Sequence, residues 1–518
     1  MQKQRVFLTG ATGAMGYLGL TELLKDLDIQ DVVTLVRPSE KNKKLLAPFQ
    51  NTEGLTIHWG DLTNDSDVLA CVRDADLVLH VGAIVSPAAD YNPKETMRIN
   101  YGSTLHILNA IKQLGQENKT GLVFIGTVAQ TGDRMPPIHW GRVGDPIKPS
   151  VFDYYAVSKV AAERLVIESG LKRWVSLRQT GIIGPKMCSI EDAIMFHNCL
   201  NNVLEYASDR DSAALLKNLC RKEFEGKLKE NFWQHIFNIG GGEGCRTGTY
   251  DMFKKMFEAI GIKDLSAVID AKWFATRNFH GQYYLDSDKL EEILEFRNDS
   301  MAYFYDEYLK MLGMMAPIAR VITKLPGGQK LIGSVMKKRF LRLARAEHGT
   351  VGFVENKKAG HIAAYWGSQK ACDAVSPISA FQCFSDWDTV VRIDHGYDET
   401  KPESALCIED MKGAAAFRGG ECVSQSMQTG NWAGQLAFRC AFGHTFNASP
   451  RLILEGGHWC PVCERESWNY YARAKVDPFF AQVWTPLHDA DEEPYEYKKE
   501  VSELYVTDMG KISGSIGG

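Results

Sequence analysis

The sequence predicts an α/β protein built on a doubly wound parallel sheet, and two patterns carry that prediction. Short β-branched runs at 5–9, 31–36, 77–81, 121–126 and 174–178 alternate with segments of helical period, the arrangement that buries a parallel sheet between two helical layers. The first run passes through a glycine-rich turn directly into an apolar helix. With 45% hydrophobic and 24% charged residues over 518 positions, each part can bury a core without disulfide staples, and the length suggests two to four domains. We divide the chain into a sheet domain at 1–185, with one strand returning near 236–240, a small, mainly helical substrate-binding part at 186–345, and a C-terminal α+β domain at 346–510. The last begins where the texture shifts to Gly, Cys, Trp and His. The end, 511–518, reads as a disordered tail.

Bulk properties narrow the partners. A net charge of −5 gives no sign of a nucleic-acid binder, so a small-molecule substrate is expected, and a homodimer is left open. The apolar run Val6-Phe7-Leu8 is too short for a signal-peptide core, and no stretch approaches the ~18 apolar residues of a spanning helix. The twelve cysteines are mostly single, so free thiols and a reducing, cytoplasmic setting are expected.

The turn after the first strand reads Thr9-Gly10-Ala11-Thr12-Gly13-Ala14-Met15-Gly16. Its glycines allow a tight turn and close backbone approach to a pyrophosphate, and the following helix aims its first N–H groups at that charge. Gly10, Thr12, Gly13, Ala14, Met15 and Gly16 are therefore candidate dinucleotide contacts, and the sheet reads as Rossmann-type. A NAD site usually places an acidic residue after the second strand to hold the ribose 2′-hydroxyl. Arg37 stands there instead, with Lys41, Lys43 and Lys44 close behind. A guanidinium can pair with a 2′-phosphate, so NADP(H) is expected ahead of NAD(H).

Tyr155 and Lys159 are four apart at the start of an apolar helical segment, so they share one face. A tyrosine that moves a proton near neutrality needs help to lose it, and an ammonium one turn away favours the phenolate. About thirty residues earlier the run Leu122-Val123-Phe124-Ile125 ends in Gly126-Thr127. A hydroxyl at that carboxyl end faces the cofactor crevice, so Thr127 is the candidate partner for the substrate oxygen.

Together these motifs resemble the extended short-chain dehydrogenases/reductases, the family of nucleotide-sugar epimerases, dihydroflavonol reductases and 3β-hydroxysteroid dehydrogenases. The resemblance spans roughly 4–300 and also rests on Gly60-Asp61-Leu62, His80-Val81-Gly82-Ala83, Asn100-Tyr101-Gly102-Ser103 and Arg178-Gln179-Thr180-Gly181-Ile182-Ile183-Gly184-Pro185. It implies that Asp61 and Leu62 border the adenine, that Val81, Gly82 and Ala83 pass close to the cofactor, and that Asn100 supports the central strands. Two positions depart from the family. Gly82 stands where alanine is more usual, and Gly126-Thr127 replaces Ser-Ser or Ser-Thr.

Near the C-terminus, Cys440 and His444 are followed, after fifteen intervening residues, by Cys460-Pro461-Val462-Cys463. Three thiolates and an imidazole suit a closed, tetrahedral, structural Zn²⁺ site, and the segment resembles a treble-clef-like zinc module. His458 is the alternative fourth ligand. The aromatic residues Trp459, Trp468, Tyr470 and Tyr471 are expected to form the module's core. The basic stretch 337–345 reads as a solvated helix face, with contact to an anionic membrane surface as the alternative.

The leading expectation is an NAD(P)H-dependent oxidoreductase that interconverts a carbonyl and an alcohol. The Met-rich segment 303–332 points to a steroid- or lipid-like substrate. The alternatives are a nucleotide-sugar epimerase or dehydratase on the same fold, and a non-catalytic NADP-binding sensor or scaffold, against which the intact Tyr155 and Lys159 argue.

Overall fold

In the computed structural model, which describes residues 3–489 and Glu492, seven strands form one all-parallel sheet. They are β1 (Gln4–Thr9), β2 (Gln30–Val36), β3 (Leu55–Trp59), β4 (Leu77–His80), β5 (Gly121–Thr127), β6 (Trp174–Gln179) and β7 (His235–Ile239), in the order β7-β6-β5-β4-β1-β2-β3. The tail expected at 511–518 lies outside the described residues. The crossovers include α1 (Ala14–Leu23), α2 (Glu40–Leu46), α3 (Asp65–Val72), α4 (Gly102–Gln113), α5 (Tyr154–Ile167) and α6 (Asp209–Phe224).

The strand runs are almost continuously apolar because both faces are covered. Phe7, Val33, Val78 and Phe124 pack on one face with Val68, Ile107 and Val166 of α3, α4 and α5. Their neighbours Val6, Leu8, Val32 and Val123 turn to the other face and meet Leu20 of α1 and Leu216 of α6. The strand order reverses between β1 and β4, which opens a crevice at their carboxyl ends. One strand of this sheet escaped the sequence reading. β3 is a sheet edge, half-exposed, and carries Thr56 and His58, so it shows no apolar run.

Beyond the sheet, α7 (Thr249–Glu258), α8 (Met301–Leu312), α9 (Met315–Thr323) and α10 (Gly328–Ala344) form the mainly helical part. The C-terminal region contributes an antiparallel sheet of β8 (Glu421–Cys422), β9 (Leu436–Arg439) and β10 (Thr445–Ala448). Its apolar residues Leu452, Ile453, Trp459 and Cys460 belong to the same buried cluster as Phe124, Val166 and Trp174. Polar ties reinforce the join: Arg178 Nη2 donates to the Gly456 carbonyl at 2.7 Å, and the Ile236 N–H donates to Glu455 Oε1 at 2.8 Å. Trp459 meets Phe438 and Phe446 edge-on inside the module. Tyr470 instead joins Tyr101 and Val157 beside α5, with Trp468 and Tyr471 half-buried against it.

Candidate active site and candidate metal centre

A cavity of about 820 Å³ opens at the crevice between β1 and β4. Gly10, Thr12, Gly13, Ala14, Met15 and Gly16 line it from the turn after β1, and Arg37 from the end of β2. Asp61, Leu62, Val81, Gly82 and Ala83 line it from the loops after β3 and β4, and Thr127, Tyr155 and Lys159 close it from β5 and α5. Asn100 stands behind the wall. Its Oδ1 accepts from the Ile84 N–H at 2.8 Å, and its Nδ2 donates to the Ile84 carbonyl and to Ser158 Oγ, both at 2.9 Å. It therefore ties the loop after β4 to α5.

The turn needs its glycines. Gly10 sits at φ +76°, and a Cβ there would come within 2.7 Å of Gly82 Cα, while a Cβ on Gly16 would come within 2.1 Å of the Gly10 carbonyl oxygen. The same close approach accounts for Gly82. A Cβ on it would press Leu62 at 3.0 Å and the Gly10 nitrogen at 3.1 Å. Sequence reasoning missed the polar strut beneath. Thr9 Oγ1 accepts from the Gly82 N–H at 2.8 Å and lies 3.0 Å from His80 Nδ1, whose Nε2 is 3.0 Å from Thr104 Oγ1. Burial, with Lys159 nearby, pushes the His80 pKa down to about 3, so the ring is a neutral spacer. A histidine ending an otherwise apolar strand was the available signal.

Asp153 starts α5 by accepting from the Ala156 N–H at 2.7 Å, which sets Tyr155 and Lys159 one turn apart facing the cavity. Thr127 ends β5 in a capping box: Ala129 N–H donates to its Oγ1 at 3.2 Å, and its own N–H donates to Gln130 Oε1 at 2.8 Å. Burial pushes Tyr155 up to about 12, with the Thr127 hydroxyl opposing the rise. Burial lowers Lys159 to about 7, opposed by Glu163 one turn further on. The ammonium lies 4.2 Å from the Phe124 ring centroid.

Glu163 is fully buried and fully partnered. It accepts from Arg178 Nε and Nη2 at 3.0 and 2.7 Å, from Gln130 Nε2 at 2.6 Å and from Ser176 Oγ at 2.5 Å, and lies 3.0 Å from His458 Nε2. At the start of α5, Asp90 accepts from the Tyr154 and Tyr155 N–H groups at 3.1 and 3.4 Å. Burial and the neighbouring Asp153 push its carboxyl up to about 8. Away from the dinucleotide turn the wall is apolar, with Met187, Met195, Met252, Phe253, Met256 and Phe304, interrupted by Asn198 and His280. Among the lining residues the one carboxylate is Asp61, in the field of Arg98 and Arg37.

The four candidate metal ligands converge. Cys440, Cys460 and Cys463 sulfurs lie 3.4, 3.6 and 3.5 Å from His444 Nδ1, and the Cys440 and Cys463 sulfurs are 3.8 Å apart. All four donors lie within 4.8 Å of one another. A zinc–sulfur bond of about 2.3 Å gives a tetrahedral edge of about 3.8 Å, so the donor set fits Zn²⁺. Cys440 and His444 flank the β9–β10 turn, where Gly443 takes φ +81°. His458 is not in the set. It is buried between Glu163 and Glu464, 3.0 and 3.2 Å from them.

Residues 6–215 match the NAD dependent epimerase/dehydratase family. The chain is 30% identical over 207 residues to a hybrid PKS-NRPS synthetase of Thermothelomyces thermophilus, which covers 35% of this chain and 5% of the synthetase. It is 26% identical over 331 residues to UDP-D-apiose/UDP-D-xylose synthase 1 of Arabidopsis thaliana, covering 54% of this chain and 82% of that one. Among solved structures, the NAD-bound dTDP-glucose 4,6-dehydratase of Streptomyces venezuelae is 20% identical with a TM-score of 0.47, covering 60% of this chain and 98% of that one. The chain thus spans only a small fraction of the first of these curated relatives. The family match covers less than half of the chain, and the all-parallel sheet order and glycine-rich turn of residues 6–215 agree with it.

Proposed function

We propose that this chain is a nicotinamide-dependent oxidoreductase that interconverts a carbonyl and an alcohol. One observation carries the reading: Tyr155, Thr127 and Lys159 line a single cavity together with the dinucleotide turn. A bound nicotinamide would give or take the hydride. Tyr155 transfers the proton at the substrate oxygen, Thr127 polarises that oxygen, and the Lys159 ammonium favours the phenolate and reaches the cofactor ribose. Gly10, Gly13 and Gly16 with the α1 N-terminus hold the pyrophosphate, Asp61 and Leu62 border the adenine, and Arg37 pairs with a 2′-phosphate, which supports NADP(H). Cys440, His444, Cys460 and Cys463 hold one structural Zn²⁺. The twelve unpaired cysteines support a reducing, cytoplasmic setting. The division at 185 and 345 stays part of this reading.

For the substrate, the likeness to a UDP-sugar synthase supports a nucleotide sugar, the class that stood second in the sequence reading. The methionine-rich wall favours a second reading, an apolar ketone or alcohol. From Met187 onward its lining residues carry no lysine or arginine, and the nearest cation on that side of the cavity is Lys186. Incubating the protein with NADPH or NADH and a panel of nucleotide sugars, steroids and simple ketones, while following cofactor absorbance and products, decides between them. Turnover of a nucleotide sugar with the cofactor retained selects the first class, and net NADPH consumption on a ketone the second. Absence of turnover across the panel would count against both.

A further inference from the structure

Helices α9 and α10 form a hairpin that is packed on one side and bare on the other. Ala316, Thr323 and Ala344 are buried, a Cβ on Gly333 would come within 2.8 Å of Ala267, and the Phe340 ring meets Phe257 edge-on at 6.0 Å. Outward, Met314, Ile318, Val321 and Leu325 recur at helical spacing along α9 and its flanking turns, and Leu331 and Val335 continue the row on α10. Each of these six is more than half exposed. A row of this size left bare marks a surface that something covers.

Charge says what covers it. Residues 310–345 hold nine Lys and Arg and no Asp or Glu, in a chain whose net charge is −5. Lys324, Lys330, Lys338 and Arg342 make no ion pair within 4.0 Å among the described residues. A second copy docked through the same face would set these cations against their own kind. An anionic lipid surface would satisfy both the row and its charges. The row also borders the cavity. Arg339 pairs with Glu191, next to Ile190 on the cavity rim, and α8 carries Phe304 in the cavity wall and exposed Met311 at its far end.

We propose that this hairpin seats the protein on an anionic phospholipid membrane, with the apolar row at the acyl boundary, the cations among the headgroups and the cavity mouth beside the surface. Among the described residues no helix is long and apolar enough to cross a membrane, so the proposed contact is interfacial. The sequence had placed a membrane alternative at 337–345. The structure moves its apolar part upstream, to 314–335, because Lys337 is spent on the Ser266 carbonyl and Arg339 on Glu191.

The test is co-sedimentation of the full chain with phosphatidylcholine vesicles, alone or with roughly a third phosphatidylserine. Binding at least about tenfold tighter to the anionic vesicles, weakened by salt, is expected. The variant Ile318→Glu/Val321→Glu/Leu331→Glu should lose about tenfold or more while keeping wild-type dinucleotide affinity and thermal midpoint, since all three side chains are exposed. Wild-type protein left in the supernatant, or a variant that binds as well as wild type, overturns the proposal. So does a wild-type dimer that the variant dissociates, which would make a second copy the occupant. None of these readouts depends on turnover, so they stand apart from the proposed reaction.

Discussion

At the scale of single residues, the site turns on which groups carry charge in a largely apolar cavity. Removing the Tyr155 hydroxyl leaves the ring and removes the transferable proton, so Tyr155→Phe should lower kcat by about 10²–10⁴-fold while dinucleotide binding persists. A variant retaining more than a few per cent of the wild-type rate would remove Tyr155 from the mechanism. Asp90 gives a second, independent reading through stability. Its folded pKa is raised to about 8 from an ordinary 3.8. The folded state therefore holds a proton that the unfolded state has lost between about pH 4 and 8, and its contribution falls as pH rises through that window. Asp90→Asn keeps an oxygen for the Tyr154 and Tyr155 N–H groups but cannot ionise. Its thermal midpoint should exceed wild type at pH 8 by on the order of 1 °C or more, with the gap closing toward pH 5. A constant difference across that range would show that Asp90 is ionised when folded. Residues of this kind were only half legible in the sequence. Gly10, Tyr155 and Lys159 announce themselves because their neighbours in the chain supply the context. Asp90 acts on a helix 64 residues away and Thr9 on a strand 71 away, so their roles appear only when the chain folds.

Among the elements, the β2–α2 junction is where the proposed preference for NADP(H) is tested. Ser39 caps α2 by accepting from the Asn42 N–H at 3.2 Å, and Asn42 Nδ2 donates back to the Arg37 carbonyl at 2.9 Å. The junction is thus fixed by its own backbone, while the Arg37 side chain lines the cavity with no ion pair within 4.0 Å among the described residues. A charge-assisted contact to a 2′-phosphate contributes about 1.5–3 kcal/mol, or roughly 10–100-fold in affinity. Arg37→Asp should cost NADPH that factor and shift preference toward NADH, read by titrating both cofactors against both proteins. Wild type binding NADH as tightly as NADPH would end this reading. Element recognition followed the same logic as burial. Strands covered on both faces, such as β1 and β5, showed as apolar runs, whereas β3 pairs on one side only and was lost to its Thr56 and His58.

The whole molecule is held together across the line drawn at residue 345, and this changes what losing the metal should do. The sequence suggested that the sheet domain and the C-terminal domain each bury a core of their own. In the structure the module's Trp459, Cys460 and Cys463 share one buried cluster with Phe124 of β5 and Val166 of α5. A buried chain of polar contacts runs from Glu464, beside Cys463, through His458 to Glu163, one turn beyond Lys159. Such continuity cannot be read from sequence, since Glu163 and His458 are 295 residues apart. Purified protein should contain about one zinc per chain, and Cys460→Ser should lose it. Binding energy at a structural zinc site is folding energy, of order 10 kcal/mol, so the variant should unfold locally rather than merely loosen. Limited proteolysis should then cut within 400–489. Because Glu163 would lose a partner in a dry interior, turnover and thermal midpoint should fall with the metal, while the dinucleotide turn, packed on β1 and α1, keeps most of its affinity. His458→Gln separates the two effects: it keeps the metal ligands and breaks the link to Glu163, so it should lower turnover with zinc retained. Finding no zinc would remove the metal from this account, and a Cys460→Ser variant that melts and turns over like wild type would show that the module and the sheet are energetically separate.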